Sequence, residues 1–270
     1  MLECVVNVSE GRDTSRLDAV TAAAGAQLLD LHRDEHHNRS VLTLAGDGVE
    51  AAVRRVARAA VDHLDLRTHT GVHPRIGALD VVPFVPLDPS TLTHAIAARN
   101  RFASWAGETL ELPCFLYGPE RSLPSIRRGA FRDLRPDAGP SRPHPTAGAC
   151  AVGARLPLVA FNLWLRDAGI DTARELAVAL RNEHVRALGL VVGDHVQISM
   201  NLLSPVEVGP AAVYDTVAAT GTPITRAELV GLVPRAVLEA TPPGRWEQLD
   251  LDAERTIEAR LAPRTRTDPA

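Results

Sequence analysis

Leu2-Glu3-Cys4-Val5-Val6-Asn7-Val8 reads as a short apolar strand, and the order of the segments after it decides the fold class. The polar turn Ser9-Glu10-Gly11-Arg12-Asp13 closes the strand, and Leu17, Val20 and Ala24 then fall on one stripe at helical spacing. Residues 27–31 and 40–45 read as two further strands, joined by the polar stretch from Arg33 to Arg39. A second helix is expected from Asp47, where Asp47-x-x-Glu50 approximates a capping box. Val53, Val56, Ala60 and Leu64 give that helix a buried face, and residues 78–85 form one more strand. The order β-α-β-β-α-β is that of a ferredoxin-like unit.

Further along the chain, a helix over 90–110 and a strand over 114–117 extend this first half. Residues 135–148 then change character, with Pro136, Gly139, Pro140, Pro143, Pro145 and Gly148. Proline removes ladder donors and fixes φ, so this stretch is neither helix nor central strand. It is either a linker or an ordered loop lining a site. The second half repeats the alternation: a long strand over 151–164, a capped helix over 171–182, and strands over 188–192 and 195–202 joined by Gly193-Asp194. A helix over 209–219 and a strand over 224–230 close it, again in the order β-α-β-β-α-β. A C-terminal helix is expected over 246–261. The reading is therefore an α+β chain of two ferredoxin-like subdomains. Their bounds are 1–155 and 156–262, followed by a flexible tail over 263–270.

Composition narrows the chemistry. The 270 residues are 45% apolar and 23% charged, which is ordinary for a folded chain and excludes general disorder. Aromatics are 4% and the net charge is −4, so a dedicated nucleic-acid binder is not expected. All 29 basic residues are arginine. Without lysine there is no Schiff-base chemistry and no P-loop. A G+C-rich coding sequence accounts for such a bias, while planar guanidinium forks also suit carboxylate ligands. Cys4, Cys114 and Cys150 are odd in number and far apart, with no CxxC, so a reducing cytoplasmic setting is the expectation. No basic leader precedes the first strand, and no apolar run reaches membrane-spanning length.

Thr70-Gly71-Val72-His73-Pro74-Arg75-Ile76-Gly77-Ala78-Leu79-Asp80 is the most informative segment for function. It sets an imidazole and a guanidinium between two glycines just before an apolar strand. Histidine is suited to carrying protons near pH 7, and Arg75 to holding an acidic group bidentately. His32, His36 and His37 cluster in one loop and His69 lies four residues before His73, which raises a metal site as an alternative. Gly71 and Pro74 argue against the helix on which H-x-x-x-H would present two ligands, and no H-E-x-x-H, G-x-S-x-G or G-x-G-x-x-G motif occurs. No metal is therefore expected.

At these residues the chain resembles the glutamate formimidoyltransferases. The resemblance is carried by Val6-Asn7-Val8-Ser9-Glu10-Gly11, Asn38-Arg39-Ser40-Val41 and His73-Pro74-Arg75-Ile76-Gly77-Ala78-Leu79-Asp80. It continues through Leu116-Tyr117-Gly118, Val152-Gly153-Ala154-Arg155, Ala160-Phe161-Asn162, Asn201-Leu202-Leu203 and Leu229-Val230-Gly231-Leu232-Val233-Pro234. It implies transfer of a formimino group between 5-formiminotetrahydrofolate and L-glutamate, with N-formimino-L-glutamate as the other partner of the exchange. It also implies a ligand groove between the two subdomains in which folate binds; tetrahydrofolate would be a cosubstrate, and a homodimer the assembly. His73 falls on the family's catalytic histidine. The family's folate-binding stretch falls on Gly139-Pro140-Ser141-Arg142-Pro143-His144-Pro145-Thr146-Ala147-Gly148, where the chain departs from the family pattern at Pro143, His144 and Ala147. Arg39, Arg75 and Arg155 are the expected substrate-binding arginines, with Arg12 a further candidate for the folate tail. Formyl transfer needs the same proton carrier, so His73 does not separate it from formimino transfer. The altered loop keeps folate binding without transfer as an alternative of another class.

Overall fold

Alternate residues of β1 (Leu2–Val8) point to opposite faces of a sheet, and Cys4, Val6 and Val8 are fully buried on one of them. The computed structural model describes residues 1–262. α1 (Thr14–Ala22) follows β1, its first turn capped by the Asp13 carboxylate accepting from the Arg16 N–H. β2 (Leu28–Asp34) and β3 (Arg39–Ala45) come next, then α2 (Val49–His63), β4 (Leu79–Pro86), α3 (Leu92–Thr109) and β5 (Cys114–Tyr117). α4 (Leu123–Gly129) and β6 (Cys150–Ala154) complete a six-stranded sheet in the order β2-β3-β1-β4-β6-β5. Leu42, Leu44, Val82 and Phe84 of this sheet pack against Val53, Val56 and Ala60 of α2 and Phe102 and Ala106 of α3. Each large apolar side chain buried this way contributes about 1.5–3 kcal/mol.

α2 begins differently from the sequence expectation. Its N-cap is Gly48, in the left-handed region at φ 81°, and no side chain caps it, so Asp47-x-x-Glu50 is not a capping box here. A side chain at that φ would be strained, which is why a glycine makes the turn into the helix.

The second half comprises β7 (Val159–Leu165), α5 (Ile170–Leu180), β8 (Val185–Val192), β9 (His195–Leu202), α6 (Pro210–Ala218) and β10 (Ile224–Val230). Its sheet runs β10-β7-β9-β8, the same spatial order that β4-β1-β3-β2 make in the first half. Phe161, Leu163, Ile198, Met200 and Leu229 form its core with Ala173 and Ala177 of α5 and Val213 and Val217 of α6. α7 (Arg235–Glu239) and α8 (Ile257–Leu261) follow.

Two expectations are corrected here. The single strand over 151–164 is two strands in different sheets: β6 pairs with β4 and β5, whereas β7 pairs with β9 and β10. Pro157 lies in the crossing and has no N–H to offer a ladder. The C-terminal helix expected over 246–261 is broken into short 3-10 turns at Glu247–Leu249 and Ala253–Arg255 before α8. Asp250 adopts φ 54° between them, which ends the first turn and lets Leu249 and Leu251 both reach the core. The tail expected over 263–270 lies outside the described residues. Among those described, no helix is long and apolar enough to cross a membrane.

Glu3, on the face of β1 turned away from α2 and α3, is only 4% exposed. Burial pushes its carboxyl up to about 7, with Arg155 opposing and Glu258 of α8 reinforcing the shift. The native chain then holds this proton more tightly than the unfolded chain. The contribution of Glu3 to stability is full below the ordinary carboxylate range and is lost as pH rises through about 7. Glu3→Gln removes that loss. At ~1.4 kcal/mol per pKa unit, the substitution should stabilise the fold by about 3 kcal/mol at pH 8 and by little at pH 4. Urea denaturation at the two pH values measures the difference, and an equal effect at both would contradict the assignment.

Candidate active site

Three loops meet beside the start of β4. Asn38, in the turn between β2 and β3, donates from its side chain to the Thr70 carbonyl at 2.9 Å. Arg75 reaches back to the His37 carbonyl at 3.3 Å, and the Ala149 N–H donates to the Ile76 carbonyl at 2.9 Å. These bonds tie residues 37–39, 69–77 and 144–149 into one body. Gly77 is required at the crossing, because a Cβ there would stand 1.8 Å from the Ala149 carbonyl oxygen.

Asp80, 3% exposed, anchors the base of this body. Its Oδ1 accepts from the Ile76 N–H at 2.7 Å and the Gly77 N–H at 3.3 Å. Arg127 of α4 grips both carboxylate oxygens, one at 2.7 Å. The residue that closes the His73 block therefore holds the loop on which His73 sits.

His73 is half-buried, and its imidazole hydrogen-bonds to no side chain among the described residues. Burial, then the charges of Arg39 and Arg127, then His37, push its pKa down to about 2. The ring is thus neutral across the physiological range. Arg39 of β3 bonds the Asn7 side chain, while its Nε is buried without a partner. Burial lowers the Arg39 pKa to about 10, which leaves it charged at neutral pH.

The His37 ring meets His73 edge-on, with centroids 6.1 Å apart and planes at 70°. His37 is 5% exposed, and its Nδ1 lies 2.5 Å from Asp34 Oδ2. Asp34 Oδ1 accepts from the His37 N–H at 2.8 Å. Burial works to raise the Asp34 carboxyl, but the side-chain and backbone bonds from His37 outweigh it and hold the pKa at about 2.

The other expected residues fall in different places. Arg75 donates to the carbonyls of His73, at 2.8 Å and 3.1 Å, and of His37, so it braces the loop while lying beside His73. Arg12 bonds the Glu35 carbonyl at 2.8 Å, in the neighbouring turn. Arg155 lies at the other end of β4 from His73: its N–H donates to the Phe84 carbonyl and its guanidinium to Leu156. The stretch from Gly139 to Gly148 is an ordered loop within the first half. It starts against Gly107 of α3 and ends in a bridge between Gly148 and Gly77. The His144 Nδ1 accepts from the Ala147 N–H at 3.0 Å, so this imidazole closes the loop's own turn. Ser141, Arg142, Pro143 and Pro145 are exposed, and Ala147 is buried in the core.

The histidine cluster noted in the sequence is divided. His32 points to the second half, where its Nε2 is 3.8 Å from Glu228 of β10. Glu228 also accepts from Trp164 Nε1 at 2.8 Å and from Asn162 at 3.1 Å. Arg226 lies over the Trp164 ring at 4.3 Å. A cavity of about 600 Å³ opens here, lined by His32, Tyr214, Arg226, Glu228 and Arg255 among others. Sequence reasoning missed the Asp34–His37 pair, Arg127 and Glu228. Asp34-x-x-His37 is the one signal that could have been found, since an aspartate three residues before a histidine in a turn can cap it and hold its ring.

A sequence profile of the formiminotransferase domain, N-terminal subdomain, matches residues 1–155. The chain is 35% identical to a glutamate formimidoyltransferase of Streptococcus pyogenes, over 88% of this chain and 90% of that one. It is 34% identical to the glutamate formimidoyltransferase of Thermoplasma acidophilum, over 88% of this chain and 89% of the relative. With the formimidoyltransferase-cyclodeaminase of Sus scrofa the identity is 34% over 89% of this chain, which spans 51% of that longer protein. With the His73 block anchored through Asp80 and matches of this extent, the chain belongs to the formiminotransferase family.

Proposed function

We propose that the chain is a glutamate formimidoyltransferase, exchanging a formimino group between 5-formiminotetrahydrofolate and L-glutamate with His73 as proton carrier. Its halves, 1–155 and 156–262, are read as two ferredoxin-like subdomains whose facing surfaces form the substrate groove. The observation that carries the reading is a neutral imidazole set among guanidinium groups, beside a family-specific motif.

A neutral imidazole can take the proton of an attacking amine and later return one to a departing nitrogen, at roughly 10²–10⁴-fold gain. The arginines fit the substrates: folate and glutamate bring several carboxylates, and Arg39 holds a buried Nε with no internal partner. An anion bound beside Arg39 and Arg127 would neutralise the charges that depress His73 and make it a stronger base once substrate is present. Tetrahydrofolate is a cosubstrate in this scheme, and no metal is called for. The loop from Gly139 to Gly148 is read as a folate contact because its end is bonded to the His73-bearing segment.

A coupled assay mixing N-formimino-L-glutamate with tetrahydrofolate, monitored by the appearance of formiminotetrahydrofolate, tests the activity. Arg39→Gln should raise KM about tenfold or more with a smaller effect on kcat, since a carboxylate would lose a charge-assisted bond worth about 1.5–3 kcal/mol. An unchanged KM for both substrates would remove Arg39 from binding.

A further inference from the structure

We propose that Asp34 and His37 form a second proton-carrying unit beside His73, so that two imidazoles divide the two proton transfers of the reaction. The inference rests on the transferase reading above and deepens it.

The arrangement is that of a histidine set up to carry protons. A carboxylate at 2.5 Å fixes the His37 tautomer with its proton on Nδ1. Nε2 is left without a hydrogen-bond partner in the described chain, and it is not sealed from solvent. A histidine that merely tied its turn would need only the backbone bond from its N–H to Asp34, which does not involve the ring. Arg75 holds the carbonyls of both His37 and His73, so the spacing of the two rings is set by the backbone.

The surroundings also separate the two rings in character. His73 faces Arg39 of β3, Arg127 of α4 and His37. His37 faces Asp34 of its own turn, and His73 and Arg75 from the loop before β4. Positive charge favours a neutral His73, while the Asp34 carboxylate fixes the orientation of the His37 ring.

Each proton in the transfer then has a carrier. As the glutamate nitrogen bonds to the formimino carbon, His73 takes a proton from that nitrogen. That proton passes from His73 to the free Nε2 of His37, directly or through one water. As the bond from the carbon to N5 of the folate breaks, its electron pair stays on N5, which receives the proton from His37 Nε2, and both rings end as they began.

Three measurements on the full chain decide the matter: kinetics of His37→Gln, kinetics of Asp34→Asn, and ¹⁵N spectra of the imidazoles. His37→Gln should lower kcat about 100-fold with KM changed less than about threefold, because the missing function is proton transfer. Asp34→Asn should lower kcat about tenfold or more. Its amide can accept the backbone bond but then presents N–H to Nδ1, forcing the wrong tautomer. In wild type the spectra should report an Nδ1–H tautomer for His37, and titration of either ring should shift when the other is replaced. A His37→Gln variant with wild-type kcat, or rings that titrate independently, would overturn the proposal. If wild type itself fails to turn over formiminoglutamate with tetrahydrofolate, the transferase reading fails. The spectra then decide the pairing alone, and an Nε2–H tautomer for His37 would overturn it.

Discussion

His73→Asn should lower kcat for formimino transfer by roughly 10²–10⁴-fold, the range for removing a positioned acid–base group. Asparagine keeps part of the ring's volume and polarity but cannot accept and return a proton. Stability should hardly change, since the imidazole hydrogen-bonds to no side chain and the loop is held by Arg75 and Asp80. KM should also change little, because the groups suited to carboxylates are Arg39 and its neighbours. Stopped assays with a coupled reporter, alongside thermal melts, separate these effects. Turnover near wild type would remove His73 from the mechanism, and a large drop in melting temperature would make it a structural residue.

The sequence made the element order legible because period-two and period-3.6 patterns are local properties of each segment. The break between β6 and β7 was not legible. Ala151-Val152-Gly153-Ala154 and Val159-Ala160-Phe161 are equally apolar since each belongs to a buried strand, and only Pro157 marks the crossing between sheets. The prolines and glycines of residues 135–148 exclude helix and central strand, and by themselves favour a linker over an ordered loop. What separates them is the contact of Gly139 with Gly107 and of Gly148 with Gly77, both between residues distant in sequence. The same holds for the site. His73 could be read from its own block. Arg127 comes from a helix 47 residues beyond Asp80, and the His37 ring meets His73 across 36 residues of chain. Composition contributed less: the arginine bias was visible at once, but only the fold separates Arg39, beside His73, from Arg155 at the far end of β4.

Asp80→Ala should destabilise the chain by about 3–5 kcal/mol, the cost of removing one partner from a buried ion pair. Asp80 is 3% exposed and accepts from two backbone N–H groups as well as from Arg127. Without it, the Arg127 guanidinium, only 16% exposed, loses its counter-charge, and the N–H groups of Ile76 and Gly77 lose their acceptor. Asp80→Asn keeps the shape and one acceptor, so its cost should be smaller, about 2–3 kcal/mol, with the guanidinium still unpaired. Replacing both partners tests the origin of the loss. Arg127→Met in the Asp80→Asn background removes the stranded charge and should recover at least about 1 kcal/mol, an interaction energy measurable in a double-mutant cycle. Chemistry should respond too, because Arg127 is one of the charges that hold His73 neutral, and Asp80 balances it at the base of the same loop. At temperatures where Asp80→Asn remains folded, kcat should therefore fall while Arg39-dependent binding persists. Asp80→Ala within about 1 kcal/mol of wild type in urea unfolding would show that the loop is held by its backbone bridges to residues 147–149 instead.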